Sequence, residues 1–336
     1  MKEIPIHEAV GMKLGHDVTR IVPEEVDEVA FPRGHVIREK DIPVLKSIGK
    51  FHIFVMDIPA DQIHEEEAAL KIGKAIGGAG IELTAPSEGR VNLIAEYRGL
   101  VNIDRELLRQ INSIPDVIVA TIEDGIPVKK GDRIAGTRII PLTTAQQNMD
   151  DVRKLTEQKP LISVHPFQPM NVGMISTGTE LYEGFVSDGF KEKVSEKLSA
   201  YDSQVSEYQV VPDDQPQIVS AIKTMLDKKI DLLLVTGGMS VDPDDRTPGA
   251  IRAAGVNVIS YGVPVLPGSM CLVGYDHEIP VLGLPGCVIW DPITVFDRIL
   301  PWVAARKRVN KADLVDLGYG GLLTVEPVPG KSSVNR

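Results

Sequence analysis

Apolar and polar residues in the second half of the chain follow strand and helix patterns in turn. Residues 172–176, 205–211 and 232–235 read as strands, and residues 188–200 and 215–228 have helical spacing. Strands that alternate with helices are typical of a parallel sheet covered by helices. We therefore predict an α/β domain with a mostly parallel, three-layer sheet over residues 167–306.

Shorter patterns precede this domain. Residues 1–77 predict a small α/β unit, with a turn and strand at 31–37, a helix at 42–49 that Asp41 caps, a strand at 51–55 and a helix at 61–76. Residues 78–143 predict a β-rich module, with strands at 89–93, 117–121 and 138–142, a helix at 104–111 and a hairpin turn at 129–132.

The remaining segments are connections and ends. Residues 144–166 are polar and then marked by Pro160 and Pro166, which indicates a linker or connecting helix before the main domain boundary. Residues 307–336 form a C-terminal tail with a short element at 313–315, and residues 326–336 are expected to be frayed.

Composition narrows the classes of function. Hydrophobic residues make up 43% and charged residues 25%, as in ordinary globular proteins, and the formal net charge is -11. That charge argues against nucleic acid or an anionic membrane as partner, because phosphate groups would be repelled. The amino-terminal residues are not an apolar leader and no apolar run reaches 18 residues, so we expect a cytoplasmic protein.

Only two cysteines, Cys271 and Cys287, occur in the chain. Neither belongs to a CxxC pair, which argues against a zinc ribbon or a thioredoxin-like motif. We expect two free, mostly buried thiols.

Ligands of parallel sheets bind outside the carboxyl ends of the strands. The first such loop reads Ser176-Thr177-Gly178-Thr179-Glu180-Leu181. Its hydroxyls and glycine offer donors to a phosphate or a pterin edge, and Glu180 can accept hydrogen bonds from amino groups. A plain helix start with Thr179 as its cap explains the same residues equally well.

The second loop follows the apolar strand 232–235 and reads Thr236-Gly237-Gly238-Met239-Ser240-Val241-Asp242-Pro243-Asp244-Asp245-Arg246-Thr247-Pro248. Paired glycines let backbone amides approach an anion closely. The carboxylates of Asp242, Asp244 and Asp245 repel one another unless a cation is shared, and Mg²⁺ takes one or two carboxylates with phosphate oxygens. An acidic solvated turn before a helix capped by Thr247 is the alternative.

Two further apolar segments are predicted to be strands that end in Pro-Gly. They are Val265-Leu266-Pro267-Gly268-Ser269 and Leu282-Gly283-Leu284-Pro285-Gly286-Cys287, and a helix over 289–303 is predicted after the second. A Pro-Gly turn at a strand end allows close backbone approach, although a tight structural turn is the simpler interpretation of each.

Taken in order, the motifs Ile175–Leu181, Thr236–Val241 and Leu284–Gly286 resemble the molybdopterin-binding domain. That domain is shared by molybdopterin molybdenumtransferases and molybdopterin adenylyltransferases, and the resemblance covers residues 167–306. Phe31–Val55 more weakly resembles the amino-terminal region of the molybdenumtransferases.

The resemblance implies enzymes of molybdenum cofactor biosynthesis that bind molybdopterin or its adenylylated form, with molybdate as a further partner and a homo-oligomer as the assembly. It implies a pterin site at Thr177, Gly178, Glu180, Thr236, Gly237, Gly238, Ser240, Thr247, Gly268, Ser269, Pro285 and Gly286. Asp245 and Asp242 take the catalytic positions, with Asp244 beside them in a magnesium site.

Three departures set this chain apart from the molybdenumtransferases. Thr179 replaces the aspartate of the first loop, and the second loop continues Asp242-Pro243-Asp244 in place of Val-Gly-Asp. The Ser-x-Met-Asp-Gly-aromatic-Ala segment tied to metal insertion is missing, while Asp245-Arg246-Thr247-Pro248 is similar to the Asp-x-Thr-Pro of the adenylyltransferases.

Three functions remain open at this point. The first is a divergent molybdenumtransferase-like enzyme that uses magnesium-assisted phosphate or adenylate chemistry. The second is a non-catalytic carrier or sensor of the cofactor, which the missing segment favours. The third is a pyridine-nucleotide pyrophosphatase or deamidase of the competence/damage-inducible type, because Asp244-Asp245-Arg246-Thr247 also fits the Asp-Asp-x-Thr of that group.

Overall fold

Two units follow one another along the chain in the computed structural model, Met1–His165 and Pro166–Arg336. The structure describes residues 1–22, 26–240, 242 and 245–323. Buried apolar side chains form separate clusters over residues 4–55, 63–164 and 175–281. Two of these clusters therefore lie in the first unit and one in the second.

The first cluster is enclosed by short antiparallel pairs. Strand β1 pairs with β4, and β2 forms a hairpin with β3. Leu14 and Leu45 are completely buried at its centre. The elements are β1 (Lys2–Pro5), β2 (Val18–Val22), β3 (Val26–Phe31), α1 (Ile42–Ser47) and β4 (His52–Val55).

The second cluster lies among antiparallel sheets and two longer helices. The largest sheet has the order β6-β7-β11-β9, and smaller sheets join β10-β8-β13 and β12-β5. The elements are β5 (Gln62–His64), α2 (Glu65–Ile76), β6 (Ile81–Leu83), β7 (Arg90–Ala95), β8 (Gly99–Ile103), α3 (Arg105–Ile111), β9 (Val117–Thr121), β10 (Pro127–Val128), β11 (Arg133–Ile139), β12 (Thr143–Ala145), α4 (Gln146–Thr156) and β13 (Ile162–Pro166).

A six-stranded sheet of order β15-β14-β16-β19-β18-β17 forms the second unit. Strands β15, β14, β16 and β19 are parallel. Strand β18 runs antiparallel to β19, and the edge strand β17 runs antiparallel to β18. The elements are β14 (Asn171–Thr177), α5 (Thr179–Tyr182), α6 (Gly189–Ser199), β15 (Gln204–Val211), α7 (Gln215–Leu226), β16 (Leu232–Thr236), α8 (Thr247–Ala253), β17 (Asn257–Tyr261), β18 (Leu272–Asp276), β19 (Ile279–Leu284), α9 (Cys287–Trp290), α10 (Val295–Ala304) and α11 (Lys311–Asp316). This mostly parallel three-layer α/β domain confirms the predicted fold class.

Burial explains why β16 lies at the centre of this sheet. Every residue of Leu232–Thr236 is buried, as expected for a strand covered on both faces. Side chains of α7 and α8 share one core with residues of β14 and β16. Because β14, β15 and β16 are parallel, their carboxyl ends and the loops that follow them meet at one edge of the sheet.

Several predicted elements of the first unit are wrong. The strand placed at 31–37 lies earlier, at Val26–Phe31, and the strand placed at 138–142 is Arg133–Ile139. Charged residues within the first strand and Gly136 within the second interrupt the apolar alternation on which the prediction depended. Residues 129–132 form a turn but no hairpin, because β10 and β11 belong to different sheets.

Asp41 precedes helix α1 as predicted, but its side chain does not cap that helix. Its Oδ2 instead accepts a hydrogen bond from the Arg38 amide and lies 2.7 Å from the His35 ring. The carboxylate therefore closes the turn before the helix.

The predicted division of the first unit also differs from the structure. Residues 144–166 contain the predicted connecting helix, α4, but they are part of the first unit, because Met149, Val152 and Ile162 lie in the second cluster. Helix α2 lies in that same cluster, so a boundary at 77/78 would cut through one core. The prediction placed the helical segment 61–76 and the β-rich segment 78–143 in different domains. They share one core through contacts between residues far apart in sequence, which a local pattern does not reveal.

Three details of the second unit differ as well. Residues 265–269 are irregular and contain a cis Leu266–Pro267 bond, so they form no strand. The helix predicted over 289–303 is two helices, α9 and α10, separated at residues 291–294. Thr247 is the first residue of α8 and not its cap. The predicted frayed segment, residues 326–336, lies outside the described residues.

Both cysteines are free, as predicted. Cys271 is buried and Cys287 is partly exposed. Burial raises the pKa of the Cys271 thiol to about 12, so this side chain behaves as a small apolar group at neutral pH.

Across the described part of the chain, no helix has both the length and the apolar character that a membrane span requires.

Candidate functional site

A pocket of about 260 Å³ lies at the carboxyl edge of the parallel strands. It is lined by residues of the loops after β14, β15 and β16, and by Ile289 of α9. Six residues of the predicted site line it, namely Thr177, Gly178, Glu180, Gly237, Gly238 and Asp245. The structure thus brings together two loops that lie about 60 residues apart in sequence, as the parallel-sheet rule predicts.

The Gly237-Gly238 pair has a conformation that other residues would strain. The φ angles are +85° at Gly237 and +54° at Gly238. A Cβ atom on Gly237 would lie 2.2 Å from the Thr177 carbonyl oxygen, and one on Gly238 would lie 2.8 Å from the Thr247 Oγ1. The missing side chains therefore let the two loops touch and leave backbone at the pocket wall.

Two separate pairs of buried hydroxyls join the two loops beside the pocket. Thr177 Oγ1 and Thr247 Oγ1 are 3.1 Å apart, and Thr236 Oγ1 donates to Ser176 Oγ at 3.1 Å. Thr236 and Thr247 are completely buried. These two predicted ligand residues hold the loops in place and do not line the pocket.

Asp188 lines the pocket and was not predicted. Its Oδ2 accepts hydrogen bonds from Ser176 Oγ and Tyr208 Oη, both at 2.6 Å, and its Oδ1 caps α6. Burial first, and then the hydrogen bond to Asp188, raise the pKa of Tyr208 to about 12, so the phenol keeps its proton. The residue was missed because it lies before a helix and follows no strand.

Asp213 is the second pocket residue that was not predicted. Its Oδ2 accepts a hydrogen bond from the Thr179 amide at 2.9 Å, which joins the loop after β15 to the loop after β14. The sequence did carry a signal for this residue, because it follows the predicted strand 205–211. Ligands bind at the carboxyl ends of parallel strands, and this strand is parallel as well.

The end of the Gly-Gly loop folds back on its own backbone. Asp245 Oδ2 accepts the Ser240 amide at 2.6 Å, and the Asp245 amide donates to the Asp242 carbonyl at 2.9 Å. Tyr261 Oη donates to the Met239 carbonyl at 2.8 Å, and burial, followed by the nearby Asp245 charge, raises the Tyr261 pKa. The Ser240 amide is therefore already engaged by a carboxylate.

The pocket lining is acidic. Four carboxylates contribute to it, Glu180, Asp188, Asp213 and Asp245, while the lining contains neither lysine nor arginine. Such a lining favours a ligand that presents hydrogen-bond donors or brings a cation. A bare phosphate group would be repelled there unless a cation accompanied it.

The predicted magnesium ligands are only partly described. Asp242 is exposed and Asp245 is partly buried, while Asp244 lies outside the described residues. Among the residues that the structure does describe, no group of three or more His, Cys, Asp or Glu side chains could hold a metal ion.

The four predicted residues of the Pro-Gly segments also lie outside the pocket lining. Gly268 packs against Val295, where a Cβ atom would come within 2.5 Å of that side chain, and the Ser269 carbonyl accepts the Val263 amide at 2.9 Å. Pro285 and Gly286 lead into α9, which supplies Ile289 to the pocket. These Pro-Gly segments shape the surroundings of the pocket, in line with the structural interpretation of their turns.

Two family models match parts of the chain. Residues 173–305 match a family described as "Probable molybdopterin binding domain", and residues 3–57 match one described as "Domain of unknown function (DUF8806)". The resemblance predicted from the loop motifs is thereby confirmed for the second unit.

Individual relatives cover only part of the chain. The molybdopterin molybdenumtransferase of Bacillus subtilis is 31% identical over 182 residues, which is 50% of this chain and 39% of that protein. A CinA-like protein of Citrifermentans bemidjiense is 38% identical over 90 residues, or 26% of this chain and 22% of that protein. The chain thus spans less than two fifths of the length of these curated relatives.

Among solved structures, the molybdopterin biosynthesis enzyme MoaB from Thermus thermophilus is 22% identical to this chain, with a TM-score of 0.34. The alignment covers 42% of this chain and 98% of that one.

Proposed function

We propose that the second unit binds molybdopterin or its adenylylated form in molybdenum cofactor biosynthesis, as a divergent molybdenumtransferase-like enzyme. The observation that carries this proposal is the Gly237-Gly238 contact with Thr177 at the mouth of the pocket. It leaves backbone at the carboxyl edge of a parallel sheet, where phosphorylated ligands bind in such folds. A cytoplasmic homo-oligomer that also handles molybdate belongs to the same proposal.

The acidic lining suits the other end of such a ligand. The amino group and ring N–H groups of a pterin donate hydrogen bonds, and carboxylates are acceptors only. Glu180 of α5 and Asp213 of the loop after β15 both have carboxylates at the pocket wall. In this proposal they hold the pterin edge, while the Gly-Gly loop faces the phosphate.

Magnesium completes the proposal. Asp245 and Asp242 would hold the ion together with ligand oxygens, with Asp244 beside them in sequence. When bound, Mg²⁺ would neutralise phosphate charge and assist phosphate or adenylate chemistry. The residues themselves position the loop, since Asp245 also holds the Ser240 amide.

Calorimetric titration of the whole chain with molybdopterin and with adenylylated molybdopterin, each with and without Mg²⁺, tests the proposal. Asp245→Asn keeps an oxygen for the Ser240 amide but loses the charge, so Mg²⁺-dependent affinity should fall about tenfold. Asp227→Asn is the matched control, because Asp227 is exposed beyond the end of α7, at the opposite edge of the sheet. Equal affinities for all three proteins would contradict the magnesium site.

Product analysis after binding then separates the functions. Molybdenum incorporation or nucleotide release from the bound ligand would support the enzyme. Tight binding with an unchanged ligand would identify a carrier or sensor instead. If neither pterin binds, the assignment of the pocket is wrong.

A second candidate function is a pyridine-nucleotide pyrophosphatase or deamidase. The match to a CinA-like protein, at 38% identity over 90 residues, favours it. Hydrolysis of ADP-ribose or of nicotinamide mononucleotide by the purified chain would support this function over the first, especially if Asp245→Asn abolished the hydrolysis.

A further inference from the structure

The four-stranded sheet of the first unit has a shallow cup of about 380 Å³ on its outer face. Strands β7, β11 and β9 supply its walls and floor through side chains that alternate outward along each strand. Three arginines line it, Arg90, Arg133 and Arg138, whereas its lining contains no carboxylate. A purely basic concavity is unexpected on a chain whose formal net charge is -11.

Two of these arginines face each other directly. Arg138 on β11 is the register partner of Arg90 on β7. Side chains directly opposite in an antiparallel pair come within about 4.5–5.5 Å at Cβ, and like charges placed so destabilise the sheet. An anion between the two guanidinium groups would turn this repulsion into attraction.

The arginines are poorly neutralised by the protein. Within the described residues, neither Arg90 nor Arg133 makes an ion pair or a side-chain hydrogen bond. The carboxylate that approaches Arg138, Glu65 Oε2, lies 3.9 Å from its Nη2, which is too long for a hydrogen bond.

Gly136 forms the floor of the cup. It lies on the central strand β11 between Asn92 of β7 and Ala120 of β9. It has no positive φ, and a Cβ atom there would have the Asn92 Oδ1 as its nearest neighbour, at 3.3 Å. Neither backbone conformation nor packing therefore requires glycine, which in a strand interior often marks the close approach of a ligand.

We propose that this cup binds a doubly charged oxyanion, such as a phosphate monoester or a free tetrahedral oxyanion, between Arg90 and Arg138 above Gly136. Planar guanidinium groups bind such oxygens in pairs. Arg133 lies farther along β11 in the same lining and adds positive charge. The site is separate from the acidic pocket and does not depend on the function proposed for it.

Calorimetric titration of the full chain with phosphate, molybdate, sulfate and adenosine monophosphate, each against sodium chloride at equal ionic strength, tests the proposal. Saturable binding of at least one dianion is expected. Preference for adenosine monophosphate over phosphate would point to a monoester as the natural ligand, and the reverse to a free oxyanion. Heat no larger than that of chloride for every dianion would overturn the site.

Two variants remove binding by different physical means. Arg90→Gln removes one guanidinium, and Gly136→Val fills the floor with a residue that strands favour; each should weaken affinity about tenfold or more. Arg109→Gln, on the exposed surface of α3, is the matched control and should leave affinity unchanged. An equal loss in the control would show general charge attraction and overturn the proposal, as would tighter binding of a single-stranded oligonucleotide than of any small dianion.

Discussion

Both the pocket beside Gly237 and the cup around Gly136 depend on glycine, but in different ways. At Gly237 the backbone has a positive φ and a second chain segment lies 2.2 Å from where a Cβ would be. At Gly136 the backbone is ordinary strand, and the nearest neighbours of a Cβ would be side-chain atoms, the Asn92 Oδ1 at 3.3 Å and the Arg90 Cδ at 3.9 Å. The first glycine is required by the fold itself, while the second leaves room for something outside it.

Charge separates the two regions as clearly. The pocket is lined by carboxylates that arise from loops at strand ends, and the cup is lined by arginines that arise from strand interiors. Most pocket carboxylates already accept hydrogen bonds from the chain, such as Ser176 and Tyr208 to Asp188. Two of the three cup arginines have no such partner in the described structure. Hydrogen bonds within the protein therefore account for most of the pocket carboxylates, whereas no such bonds account for Arg90 and Arg133 in the cup.

Substitution of valine for each glycine is the strongest test of whether Gly237 is required for folding and Gly136 is not. Gly237→Val should destabilise the second unit by at least about 2 kcal/mol, because a branched residue there has strained φ and meets the Thr177 carbonyl. Gly136→Val should instead stabilise the first unit by about 0.5–1 kcal/mol. Denaturant unfolding followed by circular dichroism measures both, and a similar loss in the two variants would contradict the distinction.

Removing one acceptor from the pocket should have the next largest effect. Asp188→Asn replaces a carboxylate that holds Ser176, Tyr208 and the start of α6, so a loss of about 1–2 kcal/mol is expected. Asp214→Asn is the control, because Asp214 caps α7 through one accepted bond that asparagine can also accept. Comparable midpoints for the two variants would show that the Asp188 network adds no stability.

Acidification should affect the first unit selectively. Burial lowers the pKa of His64, whose Nδ1 accepts the Glu66 amide, and burial also lowers the pKa of His16. The unfolded chain then binds protons more readily, so stability is complete above pH of about 6.5 and falls as pH decreases through the folded pKa values. The raised pKa of Glu65 acts in the opposite direction at pH values above its ordinary pKa of 4.5, because the folded protein binds that proton more readily than the unfolded chain.

Scanning calorimetry at several pH values between 7.5 and 5.5 measures this effect. His64→Asn, which stays neutral, should flatten the dependence for the first unit. The second unit contains a single histidine, the exposed His277, and should change less. An equal decline in both units would attribute the acid sensitivity to other groups.

The smallest expected effect is on the stability of the first unit, and it tests whether the arginines of the cup repel one another. Without a dianion, Arg90→Gln relieves the charge repulsion with Arg138 and should stabilise the first unit by about 0.2–1 kcal/mol. High salt screens the repulsion and should reduce this gain. Thermal unfolding in low and high sodium chloride provides the measurement, and destabilisation by this substitution at low salt would show that the arginines do not repel.

Sequence patterns were sufficient where the signal is contiguous. The apolar run 232–235 and the Gly-Gly motif after it predicted a buried strand and a loop at its carboxyl end, and Leu232–Thr236 is such a strand. The first loop was located by the same argument. Asp213 could have been predicted by the rule that ligands bind at the carboxyl ends of parallel strands, since it follows the parallel strand β15.

Features that depend on register could not be predicted in this way. Arg90 and Arg138 become neighbours only because β7 and β11 pair with one particular offset, across a bulge between Arg133 and Ala135. The apolar alternation of β11 was hidden by Gly136, so the strand itself was misplaced. Likewise, α4 and β13 pack against distant strands, so the segment predicted as a linker or connecting helix is part of a core.

The two tryptophans are positioned as intrinsic fluorescence probes of the second unit. Trp290 is 81% exposed and follows Ile289 of the pocket wall, while Trp302 is buried beneath the Lys307 ammonium, 4.6 Å from its ring. Both belong to the second unit, and the cup has no aromatic residue in its lining. Intrinsic emission should therefore change when the pocket fills and stay silent when an anion enters the cup, so one spectrum distinguishes the two events in the unmodified protein.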